Sequence, residues 1–310
     1  MHFLQGDLCM IKNFKEIDEL LKKTVATPKK IVVVKAGQKH ALQSVFEFAR
    51  AGYLTPILID SKETIINILS SIDTENISYE IVDEADDTLA AKKGVELIKN
   101  KKADFLMKGQ LNTATLLREV VNSKTGIRNN DVLFHLALLD IPNYNKLLGI
   151  TDGGMLLFPT VEQKKQIISG VTDIFTKLGY EKTKISLLSA AEKVNPKLQS
   201  SVEAAEIAEQ YKSNTDIIVE GPLSLDISLN KLIAEEKGYT GIIQGDADVL
   251  LVPDIVSGNA VSKSFILMAN AQMAGLVLGA TVPIVLTSRS ATEIEKKYSL
   301  ALALLVSGGK

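Results

Sequence analysis

Cysteine, tryptophan and histidine are scarce in this sequence of 310 residues. It contains one cysteine, no tryptophan and three histidines. Cys9 cannot form a disulfide within the chain, so the fold depends on burial of apolar side chains, and a reducing cytoplasm is the expected location. None of the histidines, His2, His40 and His135, lies in an H-E-x-x-H pattern, so no metal site is expected.

The sequence also lacks the glycine-rich motifs of the common nucleotide-binding folds. No G-x-G-x-x-G follows the first predicted strand and no G-x-x-x-x-G-K-[ST] occurs, which argues against a Rossmann NAD site and a P-loop. The absence of G-x-S-x-G argues against a Ser-His-Asp triad of the α/β-hydrolase type.

Charge and hydropathy exclude two further classes of partner. The formal net charge is −2 and no basic face dominates the composition, so a nucleic-acid partner is not expected. A membrane-spanning helix needs roughly 20 consecutive apolar residues. The apolar run 274–286 is interrupted by glycine, threonine and proline, so no contact with a membrane is expected either.

Apolar residues make up 46% of the chain and occur in short runs that alternate with segments of helical periodicity. Continuous apolar runs are typical of parallel strands that are buried on both faces. The predicted strands are 30–37, 55–60, 78–83, 103–109, 145–152, 184–190, 216–222, 247–254 and 282–286. The predicted helices include 40–52, 199–213, 259–275 and 292–308. This alternation predicts an α/β fold with mostly parallel sheets and, at this length, two domains.

Polar residues that favour anions follow several of these predicted strands. In such sheets ligands bind at the carboxyl ends of the strands, and the first N–H groups of a helix attract anions. The candidate binding residues at three of these ends are Lys108, Arg118, Asp226, Gly258, Asn259 and Lys263. Taken alone, each arrangement is better explained by ordinary helix capping or a tight turn. Together with a fourth strand end of the same kind, they favour anion binding.

A fourth strand end lies within Val282–Lys297, which reads VPIVLTSRSATEIEKK. Arg289 suits a bidentate grip on phosphate or carboxylate, and Ser288 offers a donor to a developing oxyanion. Glu293 and Glu295 lie within two turns of the following helix start, where either could act as a general base. Acidic residues in the first turn also stabilise a helix electrostatically, and this second explanation stays open.

Several segments together resemble the phosphate acetyl/butyryl transferase family, and most of all its butyryltransferase branch. The segments, in the order expected for the family, are 107–128, 149–155, 192–197, 220–226, 245–263 and 286–290. The motif that contains Pro253-Asp254 and Gly258-Asn259 is the most specific of them. The resemblance extends from about Met10 to the C-terminus.

The resemblance implies a two-domain α/β fold similar to that of the isocitrate and isopropylmalate dehydrogenases, with the active site in the cleft between the domains. The first domain would be discontinuous, formed by residues 1–155 and 275–310, and the second would span 156–274. In the first domain, Arg118 and Arg128 resemble basic positions of the family. Family members act as homo-oligomers, so a dimer or a larger assembly is expected.

The implied reaction is acyl-CoA plus phosphate giving acyl phosphate plus CoA, with a short, butyryl-like acyl group. It uses CoA as a substrate and needs no metal or other cofactor. Ser288 corresponds to a serine thought to stabilise the transition state, and Arg289 to an arginine thought to hold phosphate. Glu295 occupies the position of the acetyl-type base, seven residues past the serine. Butyryl-type members tend to have an aspartate three residues past it, where this chain has Ala291, and Glu293 is the second candidate base.

Departures from the family pattern leave two other functions open. Ala291 and Met155 are compatible with a non-catalytic member that binds acyl-CoA without turnover. A metal- and NAD-dependent dehydrogenase of the same fold would need clustered aspartates, whereas the acids of this chain are scattered. Activity that depends on added Mg²⁺ and NAD would favour the dehydrogenase.

Overall fold

The computed structural model describes residues 9–129, 132–286 and 291–307 of the chain. The helices are α1 Phe14–Thr24, α2 Lys39–Arg50, α3 Lys62–Leu69, α4 Asp87–Lys99, α5 Thr113–Val120, α6 Val161–Lys177, α7 Gln199–Tyr211, α8 Leu225–Leu229, α9 Lys231–Glu236, α10 Ile255–Met268 and α11 Glu293–Val306. The strands are β1 Lys29–Val34, β2 Leu54–Asp60, β3 Glu80–Asp83, β4 Phe105–Lys108, β5 Phe134–Asp140, β6 Leu148–Thr151, β7 Thr183–Leu188, β8 Ile217–Leu223, β9 Val249–Leu251, β10 Gln272–Leu278 and β11 Ile284–Val285. None of the helices in the described ranges combines the length and the apolar character needed to cross a bilayer.

The chain divides into two compact units, each built from two separate segments. The unit that holds the middle of the sequence, here called the central unit, consists of Met1–Glu16 and Phe134–Met273. The other, here called the outer unit, consists of Ile17–Leu133 and Ala274–Lys310; both names refer to order along the chain. The C-terminal segment therefore groups with residues from the first half of the chain. Residues 134–155, which the sequence analysis assigned to the first domain, group with the central unit because β5 pairs with β6 and β6 pairs with β9.

The outer unit contains strands in the order β3-β2-β1-β4-β11-β10. All of them are parallel to their neighbours except β10, which pairs antiparallel with β11. Residues 31–34 of β1 and 105–107 of β4 are fully buried. Full burial is expected where helices cover both faces of a parallel sheet. The apolar runs in the sequence thus predicted both the direction and the burial of β1 and β4, whereas β3 is partly exposed.

The central unit contains strands in the order β5-β6-β9-β7-β8. Strands β6, β9, β7 and β8 are parallel, and β5 pairs antiparallel with β6. A core cluster joins β6 and β9 to the helices α8 and α9, with Ile150, Leu250, Ile227 and Ala234 all nearly inaccessible to solvent. The predicted α/β class with mostly parallel strands is confirmed.

The predicted helix over 259–275 is wrong beyond residue 268. α10 ends at Met268 and β10 begins at Gln272. Between them, Asn270 has a φ of 53°, a left-handed conformation that asparagine tolerates and that commonly ends a helix. An apolar run of this length does not show where a helix stops and a strand follows, so periodicity alone missed the boundary.

Strand β5 was not among the predicted strands. Its sequence, FHLALLD, is buried at five of its seven positions and includes the short apolar run 136–139. A run of this length is consistent with either a strand or a buried helical segment. Its antiparallel pairing is also an exception to the parallel pattern, and it places His135 beside the end of β6.

The turn between β10 and β11 depends on a glycine. Gly279 has a φ of 94°, and a Cβ atom built on it would lie 2.0 Å from the carbonyl oxygen of Val132. The same turn is bonded to residues 127–129: Asn129 N donates to Gly279 O at 3.0 Å, and Arg128 forms an antiparallel bridge with Ala280. The turn therefore sets the position of Arg128, one of the candidate binding residues.

Replacing Gly279 with alanine should destabilise the outer unit by about 3 kcal/mol or more, because strain at positive φ adds to the steric clash. Gly52→Ala is the matched control, since Gly52 has a φ of 80° but no atom within 4 Å of the added Cβ. It should cost only about 1 kcal/mol. Urea denaturation of both variants measures the difference, and equal midpoints would contradict the role of the clash.

Candidate active site

Lys108, the last residue of β4, is buried in the outer unit at 8% exposure. Its Nζ donates to the carbonyl oxygens of Gly109 at 3.1 Å and Leu111 at 3.3 Å. Gly109 packs against the backbone of Lys35, since an added Cβ would lie 2.0 Å from its carbonyl oxygen. The lysine that was predicted to bind an anion thus holds the turn that follows β4.

The two candidate arginines of the outer unit are exposed. Arg118 lies in the last turn of α5, a helix capped by Asn112, whose side chain accepts from Ala114 N at 2.9 Å. Arg128 lies in the segment bonded to the β10–β11 turn. Because the side chains of both residues are open to solvent, neither guanidinium is committed to the interior of the unit.

The start of α11 carries the two candidate bases in different surroundings. Ser288 and Arg289 lie outside the described residues. The N-cap is Thr292, whose Oγ1 accepts from Glu295 N at 3.1 Å. Glu293 is 84% exposed and its Oε1 lies 4.0 Å from His40 Nδ1.

Glu295 is half-buried, and its surroundings suit a general base. Burial raises the pKa of its carboxyl above the usual value, although the charge of Lys296 and the hydrogen bond at Thr292 oppose the rise. A base is most effective when its pKa approaches the working pH, so this shift favours Glu295 over the exposed Glu293.

Lys296 was missed by the sequence analysis. It is only 3% exposed, and its Nζ donates to the carbonyl oxygen of Ala291 at 2.8 Å. Among the described residues no carboxylate forms an ion pair with it. A buried lysine is uncommon, and this one fixes the backbone at the start of α11. Its position in an otherwise acidic first turn gave no sign of burial in the sequence.

In the central unit, Asp152 follows β6 and is fully buried. Its carboxylate accepts four backbone N–H groups. Oδ1 accepts from Gly154 at 2.7 Å and Met155 at 2.8 Å, and Oδ2 accepts from His135 at 3.1 Å and Leu156 at 3.2 Å. The bonds fold residues 152–156 around the carboxylate. Nothing in the sequence marks Asp152 as a site residue, although it lies in the segment 149–155 that resembles the family.

The loop after β6 touches the first turns of α10 through backbone contacts. A Cβ on Gly153 would lie 2.7 Å from the carbonyl carbon of Gly258, and a Cβ on Gly258 would lie 2.7 Å from the Cα of Gly153. Asn259 donates from Nδ2 to Gly153 O at 3.4 Å, and its residue is exposed. Two predicted binding residues, Gly258 and Asn259, are therefore brought together with the loop of Asp152.

Two other predicted features of α10 have simple structural roles. Asp254 caps the helix, with Oδ1 accepting from Ser257 N at 2.9 Å. Lys263 lies on the exposed side of the helix. Its ammonium is therefore open to a ligand but is not part of the packed loop.

Asp226 lies in a separate cluster that follows β8. Its pKa is lowered to about 2, first by the hydrogen bond from Ser224 and then by Lys237, whose Nζ lies 3.0 Å from Oδ2. Ser224 Oγ also bonds Glu192, and since a hydroxyl has one proton it can serve only one of the two carboxylates at a time. Lys237 reaches Glu192 Oε1 at 3.2 Å. These contacts give Asp226 a structural partner of opposite charge.

The described residues contain no group of three or more histidine, cysteine or acidic side chains that could hold a metal ion. What the central unit brings together is a loop of backbone donors around Asp152, two glycines in contact, and the first turns of α10. What the outer unit brings together is Glu295, Lys296 and the segment that begins at Ala291.

Replacing Asp152 with asparagine should destabilise the central unit by about 3–5 kcal/mol. The amide oxygen can serve two of the four N–H groups, while the amide NH₂ faces the other two buried donors. Asp254→Asn is the control in the same unit, because asparagine caps helices as well as aspartate, and should change stability by less than about 0.5 kcal/mol. Chemical denaturation compares them, and similar losses in both variants would refute the role of the four bonds.

Comparisons with known proteins extend over almost all of the chain. Residues 86–304 match the family model described as phosphate acetyl/butaryl transferase. The phosphate butyryltransferase of Clostridium acetobutylicum is 34% identical over 97% of this chain and 100% of its own length. The phosphate acetyltransferase of Rhizobium meliloti is 35% identical over 90% of this chain and 89% of its own length.

Solved structures agree with the sequence comparisons. The structure of a branched-chain phosphotransacylase from Enterococcus faecalis V583 superposes with a TM-score of 0.81 at 34% identity, and the match covers 90% of this chain and 99% of that one. The α/β fold with mostly parallel strands is thus shared with this protein.

Proposed function

This chain belongs to the phosphate acetyl/butyryl transferase family and is an acyltransferase; we propose that it moves a short, butyryl-like acyl group between CoA and inorganic phosphate. The observation that carries the proposal is the match to a phosphate butyryltransferase along the full length of both chains. The same match argues against the two other functions left open by the sequence, a non-catalytic acyl-CoA-binding protein and a dehydrogenase.

In the direction that forms acyl-CoA, the CoA thiol attacks the carbonyl carbon of the acyl phosphate. A free thiol has a pKa of about 8.5, so a base is needed near neutral pH. Ser288 would donate to the developing oxyanion, and Arg289 would bind the leaving phosphate. One bound substrate attacks the other directly, so no acyl-enzyme intermediate is needed. Positioning both substrates supplies much of the rate acceleration.

Glu295 is our choice for the base that accepts the thiol proton. Its partial burial and raised pKa support this choice, and the neighbouring charge of Lys296 keeps the carboxylate form accessible. Glu293 is exposed to solvent and lacks the partial burial that distinguishes Glu295.

The remaining parts of the proposal come from the polar residues that follow the strands and from the family resemblance. The exposed cationic side chains of Arg118, Arg128 and Lys263 would bind the phosphate groups of the substrates, and Lys108 would act through the turn that it holds. Gly258, Asn259 and Asp226 would contact other parts of the substrates. We also propose that the protein acts in the cytoplasm as a homo-oligomer, without metal or redox cofactor. In this proposal its two domains resemble those of the isocitrate and isopropylmalate dehydrogenases, with the site in their cleft.

Release of free thiol from butyryl-CoA in the presence of phosphate tests the reaction. Ser288→Ala should lower kcat on the order of 100-fold through loss of an oxyanion donor. Arg289→Gln should raise the KM for phosphate as well as lower kcat. Unchanged turnover in both variants would sink the residue assignment. Assays with acetyl-CoA, butyryl-CoA and isobutyryl-CoA define the preferred acyl group.

The pH dependence of acyl-CoA formation from acyl phosphate and CoA tells whether Glu295 or Glu293 is the base. Since the carboxylate is the active form and its pKa is raised, the rate should fall as the pH drops through the pKa of Glu295. In Glu295→Gln this acidic limb should be replaced by a rate that rises with pH toward the thiol pKa of about 8.5. Glu293→Gln should keep the wild-type profile. The opposite result would make Glu293 the base.

A further inference from the structure

Two buried polar atoms beside Asp152 have no hydrogen-bond partner among the described residues. They are Nδ1 of His135 and Oγ1 of Thr151. Thr151 is fully buried at the end of β6, and His135 bonds Asp152 through its backbone N–H. Buried polar atoms without partners are rare in folded proteins, and two of them next to one loop indicate a place built for something other than packing.

We propose that His135 contacts the substrate and donates a hydrogen bond from Nε2 to the carbonyl oxygen of the acyl group, an inference that rests on the proposed function. His135 is partly exposed, and Nε2 is not among the buried atoms that lack a partner. Nε2 is therefore the polar atom through which the ring can reach a ligand.

The carboxylate of Asp152 does not take the ring proton of His135. Each of its oxygens already accepts two backbone N–H groups, which fills the lone-pair positions of a carboxylate. The histidine is thus not the middle member of a triad in which a carboxylate orients the ring. What orients the ring is packing, because the Cα of Gly154 lies against it and an added Cβ would come within 3.0 Å of Cγ.

The buried Nδ1 decides which nitrogen carries the proton. Burial lowers the pKa of His135 below its usual value, against the opposing charge of Asp152, so the ring is neutral near pH 7 and has one N–H group. A buried N–H without an acceptor is rarer in proteins than a buried acceptor without a donor. The proton therefore belongs on Nε2, and Nδ1 keeps its lone pair.

The charge near the ring selects the kind of oxygen that Nε2 can bind. Asp152 is fully buried and its charge is balanced only by backbone dipoles, since none of the described cations pairs with it. A phosphate anion beside this carboxylate would be repelled. The carbonyl oxygen of a thioester or acyl phosphate is neutral and accepts a hydrogen bond without this penalty.

The position of His135 in the central unit agrees with a substrate contact. Gly154 lies against the ring, and the preceding Gly153 lies against Gly258 in the first turns of α10. Through these contacts the ring lies near the carboxyl ends of β6 and β9, which form the edge at which ligands bind in such sheets. The most specific family motif of the sequence, around Asp254 and Gly258, reaches the same place.

Three substitutions of His135 test the proposal in the full-length enzyme with butyryl-CoA and phosphate. Glutamine can place its amide nitrogen near the position of Nε2, whereas the shorter asparagine reaches only the region of Nδ1, and leucine has no donor. We expect His135→Leu and His135→Asn to lower kcat on the order of 100-fold. His135→Gln should stay within about tenfold of wild type. The KM for phosphate should not change.

Each alternative gives a different result. If His135 were a proton acceptor, His135→Gln would be as inactive as His135→Leu. If it bound phosphate, His135→Leu would raise the KM for phosphate. If it were structural, all three variants would lose thermal stability in parallel with activity, or none would lose activity. Any of these outcomes overturns the proposal. An inactive wild-type enzyme would instead overturn the proposed function.

A variant that keeps the histidine provides a second test. Gly154→Ala adds a methyl group against the ring and should displace Nε2, lowering kcat while the backbone N–H to Asp152 is retained. In the His135→Leu background the same change should have little further effect on kcat, because the two act through one contact. Additive losses in the double variant would show that Gly154 acts independently and would contradict the proposed role of the ring.

Discussion

Burial of both faces of the parallel strands determines where this protein can place polar chemistry. In the outer unit residues 31–34 and 105–107 are fully buried, and in the central unit β6 and β9 are as well hidden. The side chains of these buried residues do not reach solvent, so a ligand can approach only at the ends of the strands. The polar residues that follow the strands are therefore partly enclosed, and each must find hydrogen-bond partners in its own neighbourhood.

Three charged side chains, two of them buried and one partly buried, meet this requirement in different ways. Lys35 has a carboxylate partner, with Nζ 2.7 Å from Asp60 Oδ1. Asp152 has no described cation beside it and is satisfied by four backbone N–H groups. Among the described residues, Lys296 donates only to the carbonyl oxygen of Ala291, at the start of α11. Within the part of the chain that the structure describes, the first two charges have all the partners they need, whereas Lys296 has one acceptor and Nδ1 of His135 has no partner.

The sequence predicted the helices and strands that hydrophobic periodicity marks. It missed the features that depend on strand pairing and on local backbone conformation. Apolar runs marked the buried parallel strands, because a strand that is buried on both faces has apolar residues at nearly every position. The antiparallel β5 and β10 were missed, because a short apolar run does not reveal its pairing and the end of α10 depends on the backbone of Asn270. Lys108 ends β4, and Asp226 and Gly258 lie in the helices that follow β8 and β9. The burial of Lys296 and the four hydrogen bonds of Asp152 are tertiary properties that no spacing in the sequence displays.

The most specific motif of the sequence, which contains Asp254 and Gly258, consists largely of residues that the fold itself requires. Gly258 is required because its Cα lies against Gly153, and Asp254 is explained as a helix cap. Both would be retained by a protein of this fold that bound nothing. In our proposal the chemistry of the central unit is instead carried by His135, which belongs to no motif. Its ring is oriented by Gly154, and its Nδ1 has no partner among the described residues. A family can thus be recognised through residues that shape its loops, while the residues that meet the substrate are found by asking which buried polar atoms the fold leaves unsatisfied.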